Sequence, residues 1–351
     1  MKHDWTRLAG LLILALWLFD AVASAQVFTY VAFGDSITDG KYDDQDLGGY
    51  PGRLENDAGL LDCTPATCDV INEGKGGERT TAGVTRIDAV LAAGTYDVLL
   101  LMEGTNDIFK LTPISTETMT FNLATMAAKA AEHGVETIHA SIIWFHPEGK
   151  RGTSRDGLVE ALRNAVDGLA SANQRSFTDA WSLLCPPGPD IHGHNQTTCF
   201  VKHYFGDVPD NDPVGHPKGS GYTMLADEFY DVITAVPAPG APTPTAPVGN
   251  VPPGLAQLSW ARESPARATW YRVVVEAGPE TLVDRWLPAS GNCTSSTCTY
   301  SLAAPLAPGD YTWHVRGRNP AEFGPWGAAA TRVLIFIDGF ESGDTHEWNR
   351  G

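Results

Sequence analysis

The feature that most constrains the fold is a regular alternation of short apolar runs with stretches of helical spacing over the first two thirds of the chain. Val27–Phe33, Val70–Asn72, Val98–Met102 and Thr137–Ile143 have strand length. Thr81–Ala93 carries apolar residues at Val84, Ile87, Val90 and Leu91, and Ser115–His133, Leu158–Ala172 and Gly221–Val236 read as further helices. Strands that alternate with helices predict a mainly parallel sheet covered on both faces. Ligands bind to such sheets at the loops leaving the C-terminal ends of the strands. Any site is expected there.

The alternation stops at residues 237–254, which hold seven prolines and no charge. A stretch of this kind reads as a stiff spacer, extended over up to about 55 Å at roughly 3.1 Å per residue. Beyond it the punctuation changes. Leu255–Trp260, Ala268–Glu276, Leu282–Leu287, Thr299–Leu302, Tyr311–Arg316 and Thr331–Phe336 are strand-like runs between Gly, Pro and Ser turns, which predicts an antiparallel β-sandwich. No internal repeat is present.

Residues 1–25 read as an export signal. Lys2 and Arg7 precede the apolar run Leu8–Phe19, and Ala23-Ser24-Ala25 fits a small-x-small cleavage pattern, so the mature chain is expected to start at Gln26. Twelve apolar residues ended by Asp20 fall short of the roughly 20 that span a bilayer. Export makes the six cysteines readable as disulfides, and proximity in sequence suggests Cys63 with Cys68, Cys185 with Cys199 and Cys293 with Cys298. A zinc site would need clustered ligands, which these separated pairs do not supply.

With 24 Lys+Arg against 42 Asp+Glu the formal net charge is −18, of which −16 falls before residue 255. No basic footprint for nucleic acid is visible. The acidity also disfavours anionic membranes. At 19% charged and 43% hydrophobic residues, the chain is too apolar for a disordered protein.

Each apolar run of the first region ends in a polar cluster: Gly34-Asp35-Ser36-Ile37-Thr38-Asp39-Gly40, Asn72-Glu73-Gly74-Lys75-Gly76-Gly77, Gly104-Thr105-Asn106-Asp107 and, near the end, Asp212-Pro213-Val214-Gly215-His216-Pro217. These are the parts that acyl transfer needs: an attacking serine, a histidine to take its proton, a carboxylate to hold the imidazole, and N–H donors for the oxyanion. Four such blocks in this order resemble the GDSL, or SGNH, family of serine esterases and lipases over residues 27–236. The resemblance implies a flavodoxin-like three-layer α/β sandwich and a hydrolase of carboxylic esters. It makes Ser36 the nucleophile, whose own N–H joins an oxyanion hole with the Gly77 N–H and the Asn106 amide, and His216 the general base. It implies neither a metal nor an organic cofactor.

Each residue also has a bland reading. Gly-Asp-Ser is ordinary turn chemistry, Asn106 can stabilise a turn, Gly77 can serve a positive φ, and His216 can be a surface loop residue. Two positions depart from the family pattern. The triad Asp is usual three residues before the His, where this chain has Pro213; Asp212 is the choice here, with Asp210 or a Ser–His dyad as the other readings. Arg79 stands where relatives carry a small or hydroxyl residue, and its expected role is to pair with Glu78 rather than to attract a substrate anion. No Gly-x-Ser-x-Gly elbow and no phosphate-loop spacing occurs.

Several further features carry weaker expectations. Trp144-Phe145-His146-Pro147 is read as lining an acyl or sugar pocket or packing under its loop. His192 and His194 are read as loop histidines, and Asp207, Asp210 and Asp212 as a solvated loop rather than a calcium site. In the second region, Pro308–Arg316 and Gly324-Pro325-Trp326 resemble a fibronectin type III module over about 255–336, with Tyr311 placed for a corner hydrogen bond. Trp260, Trp270, Trp286 and Trp313 are expected in its packing. The tail Phe336–Trp348 matches no mechanism. The expectation is thus a secreted, monomeric serine esterase or lipase acting on a small or polymer-borne ester. A non-catalytic surface- or carbohydrate-binding protein of the same fold and an acyltransferase are the alternatives.

Overall fold

A computed structural model describes residues 26–58, 60–143, 155–172, 176–180, 216–252, 254–327 and 331–335. The leader, Trp144–Pro147, the Cys185/Cys199 pair, His192, His194, Asp207, Asp210, Asp212 and the tail from Phe336 lie outside the described residues.

The first region builds a five-stranded sheet from β1 (Phe28–Gly34), β2 (Cys68–Gly74), β3 (Val98–Met102), β4 (Glu136–Ala140) and β5 (Phe177–Thr178). Its order is β2-β1-β3-β4-β5 and every pairing is parallel. This is the flavodoxin-like order. β3 reads Val-Leu-Leu-Leu-Met and is buried along its whole length, as a strand covered on both faces must be. The helices are α1 (Gly49–Asn56), α2 (Thr80–Ala93), α3 (Thr105–Phe109), α4 (Thr116–Glu132), α5 (Asp156–Ala172) and α6 (Gly219–Thr234). α1 packs on α6, and α4 lies between α2 and α5. The apolar spacing read for α2 is borne out in part: Ile87, Val90 and Leu91 are buried, and Val84 packs half-buried against the core.

Three elements of the first region escaped the sequence reading. α1 begins Gly-Tyr-Pro-Gly, a composition that signals a turn. α3 and β5 have five and two residues, too short to show a period.

The second region has mostly antiparallel strands: β6 (Thr243–Ala246), β7 (Gly249–Val251), β8 (Gln257–Ala261), β9 (Trp270–Ala277), β10 (Glu280–Pro288), β11 (Thr297–Ser301), β12 (Gly309–Arg318), β13 (Phe323–Trp326) and β14 (Thr331–Ile335). One sheet has the order β11-β8-β6 and the other β10-β9-β12-β14-β7, with β13 beside β12. Trp260 and Trp313 are fully buried between them, and the Tyr311 hydroxyl donates to the Ala307 carbonyl at 2.8 Å.

The Pro-rich stretch is not an extended spacer. β6 pairs antiparallel with β8 and β7 pairs parallel with β14, so part of it is built into the sandwich. Both strands lie at sheet edges, where a residue without an N–H costs no ladder bond.

The sandwich sits against the N-terminal ends of the parallel strands. The Phe28 ring packs at a tilt against Phe323, centroids 4.8 Å apart, the Tyr30 hydroxyl donates to the Pro320 carbonyl, and the Thr269 hydroxyl donates to Glu136 at 2.7 Å. The opposite edge, where the strands end, is left to the polar clusters. Two disulfides close short loops, Cys63–Cys68 in the first region and Cys293–Cys298 in the second. Among the described residues no helix is long and apolar enough to cross a membrane.

Candidate active site

Ser36 follows β1 by two residues, on a tight turn built by its own neighbours. The Asp35 carboxylate accepts the Ile37 N–H at 2.9 Å, and the carbonyls of Asp35 and Ser36 accept the N–H groups of Asp39 and Lys41. His216 lies just before α6, and 180 residues separate it from Ser36. Their side chains nevertheless meet, Ser36 Oγ standing 2.8 Å from His216 Nε2. Ser36 is 8% exposed and His216 3%. The bond is shielded from bulk water.

Two hydrogen bonds dock the start of α6 onto the serine turn. The Tyr222 hydroxyl donates to the Lys41 carbonyl at 2.7 Å, and Asp44 accepts the Gly219 N–H at 2.6 Å. The second also satisfies one of the unpaired N–H groups at the first turn of α6. Arg53, fully buried, holds the loop from beneath with a bidentate pair to Asp43 at 2.5 and 2.9 Å and a bond to Thr223 on α6. The Tyr42 ring meets the His216 imidazole edge-on at 5.3 Å.

Gly77 and Asn106 leave the same sheet edge as Ser36, on the turns after β2 and β3. β1 pairs with both strands, aligning Gly34 with Gly74 and with Met102. Gly104 takes φ +131°, a region that side chains rarely enter, and starts α3 so that Asn106 sits in its first turn. The Asn106 amide nitrogen is buried and has no hydrogen-bond partner among the described residues. A buried N–H₂ without an acceptor costs about 1–3 kcal/mol, and an arriving oxyanion would satisfy it. Asp107 turns the other way. Its carboxylate accepts the N–H and hydroxyl of Thr80, at 2.9 and 2.7 Å, and so ties α3 to the start of α2.

A cluster of acids lies under these turns. Asp35, Glu103 and Asp107 are all buried, and burial pushes each carboxyl above its ordinary range. The effect is largest at Glu103, which also faces the charges of Asp35, Glu78 and Asp107 and has no hydrogen-bond partner among the described residues.

The expected Arg79–Glu78 pair does not form. Glu78 is taken by Arg86 at 2.6 Å and by Lys75 at 3.7 Å, while Arg79 donates to the Thr112 carbonyl at 3.1 Å. Adjacent residues on an extended stretch project to opposite sides, and Arg86 lies two turns along α2 on the Glu78 side. Asp212 and Asp210 lie outside the described residues. Sequence reasoning passed over Tyr42, Tyr222 and Arg53, whose roles exist only through contacts remote in sequence. Among the described residues no group of three or more His, Cys, Asp or Glu is placed to hold a metal ion.

The GDSL-like Lipase/Acylhydrolase family matches residues 32–224. No curated protein matches the chain. Among solved structures, it is similar to a member of the lipolytic protein G-D-S-L family from Veillonella parvula, at 18% identity over 59% of this chain and 99% of that one, with a TM-score of 0.46. It is also similar to a catalytic mutant of an acetylxylan esterase from Geobacillus stearothermophilus, at 16% identity over 58% of this chain and 94% of that one, with a TM-score of 0.43.

Proposed function

The chain belongs to the GDSL-like lipase/acylhydrolase family, and from that premise we propose that it is a secreted serine esterase acting through an acyl-enzyme on Ser36. The observation that carries the reading is the 2.8 Å contact between Ser36 Oγ and His216 Nε2. In the tautomer protonated at Nδ1, Nε2 accepts the serine proton as Oγ bonds to the ester carbonyl carbon. The carbonyl oxygen becomes the oxyanion of the tetrahedral intermediate, received by the N–H groups of Ser36 and Gly77 and the Asn106 amide. Collapse expels the alcohol, which leaves with the proton held on His216. Water then attacks the acyl group, with His216 again as base, and the carboxylic acid departs. Asp212 is proposed as the carboxylate that orients the imidazole.

The substrate class is an ester carried by a small molecule or by an acylated polymer: a short-chain ester, an acetylated polysaccharide or a lysophospholipid. Export rests on the basic-apolar-small pattern of residues 1–25. The sandwich is read as fibronectin type III-like, supported by its three- and six-stranded sheets and by the Tyr311–Ala307 corner bond.

The test is turnover of 4-nitrophenyl acetate and octanoate by the mature chain beside Ser36→Ala. Loss of turnover in a variant with an unchanged circular-dichroism spectrum is expected, and the ratio of the two esters reports the acyl length preferred. Activity retained by Ser36→Ala would sink the assignment.

A further inference from the structure

We propose that Lys110 is a positioning residue that holds the two non-serine oxyanion donors in register, an assignment that rests on the esterase reading above. Of the proposed catalytic groups, Gly77 has the least steric support. Its turn is exposed, its φ is +76°, and a Cβ placed on it would meet no atom within 4 Å. Packing therefore does not hold its peptide, and glycine has more torsional freedom than any other residue. A donor must stay within about 0.5 Å of its productive place to stabilise the transition state.

The Glu78 N–H donates to the Lys75 carbonyl at 3.1 Å and closes the turn, and Lys110 adds a restraint that links it to α3 from both ends of its own structure. Its ammonium donates to the Gly77 carbonyl at 2.9 Å. Its backbone N–H donates to the Asn106 carbonyl at 3.3 Å, closing the last turn of α3. One residue thus spans the glycine and the asparagine whose N–H groups are to converge on one oxygen. Arg79 makes a parallel tie between the same segments through the Thr112 carbonyl. The ammonium also brings positive charge to the turn that faces a developing negative one, an effect that exposure to solvent weakens but does not remove.

Restraint of an oxyanion donor acts in the transition state and not in the ground state, so its loss lowers kcat and leaves KM. Removal of an entire donor costs about 10²–10³ in rate, and loosening one is expected to cost roughly tenfold. The experiment compares Lys110→Met and Lys110→Arg with wild type and Ser36→Ala in the full chain, on 4-nitrophenyl acetate, with thermal melts of each. The proposal expects kcat about tenfold lower in Lys110→Met with KM and melting temperature unchanged, and most of kcat restored in Lys110→Arg. Wild-type kcat in Lys110→Met, or a loss confined to KM, overturns it. Wild-type turnover that survives Ser36→Ala overturns the esterase reading and the role of Lys110 with it.

Discussion

Arg318 of the sandwich and Asp97 of the α/β region form a buried ion pair at 2.6 Å, their side chains 0% and 4% exposed. Arg318 also donates to the Gly134 carbonyl and is stacked against Trp286 and Trp270, at 4.3 and 5.4 Å. Asp97 in turn accepts the Thr29 N–H of β1 at 3.0 Å. A cation from one region thus completes the bottom edge of the other region's sheet. The two behave as one packed body and not as beads on a string.

Removal of one partner from such a pair leaves an uncompensated buried charge, which costs about 3–5 kcal/mol. Arg318→Ala is expected to lower stability by that amount in urea titrations followed by tryptophan fluorescence. The double change Arg318→Met with Asp97→Leu should lose less, because no charge is stranded. A single-variant loss below about 1 kcal/mol would show that the regions fold independently.

The Tyr222 hydroxyl links the helix after His216 to the turn of Ser36. Tyr222→Phe keeps the ring in its buried site and removes one hydrogen bond, worth about 0.5–1.5 kcal/mol. We expect stability to fall within that range and kcat to fall several-fold at constant KM, since misalignment of nucleophile and base affects the chemical step alone. Steady-state kinetics at saturating ester checks it, and an unaltered kcat would mean that other contacts suffice.

Glu103 makes stability depend on pH. Burial, and then the charges of Asp35, Glu78 and Asp107, hold its folded-state pKa well above the ordinary 4.5. Above that ordinary value the unfolded chain releases a proton that the folded chain retains, so stability falls as pH rises toward the folded pKa. Asp35 and Asp107, also raised, act with the same sign. Glu103→Leu should therefore flatten the decline above pH 4.5 in chemical denaturation. It should also stabilise the protein by about 1–3 kcal/mol, the cost of a buried polar group that has no hydrogen-bond partner among the described residues. An unchanged slope would place the pH dependence elsewhere.

What could be read from the chain without coordinates was whatever is local. The apolar runs placed β1 to β4, and the helical spacing placed α2, α4, α5 and α6, because a period of two or 3.6 is written in neighbouring residues. The polar clusters marked the strand ends on which Ser36, Gly77 and Asn106 lie, and β8 to β12 and β14 followed from their turn punctuation. The same local logic misread residues 237–254, since proline density signals a spacer unless a neighbouring strand offers an edge.

Tertiary structure decided the rest. No local pattern could bring Ser36 within 2.8 Å of His216 across 180 residues, give Glu78 to Arg86 instead of Arg79, or lay Lys110 across Gly77 and Asn106. Nor could it seat Arg318 under the sheet against Asp97. Such contacts depend on how whole elements pack. Burial of a common core sets that packing for all of them at once, and the individual charges and hydrogen bonds then find partners among whatever it has brought within reach.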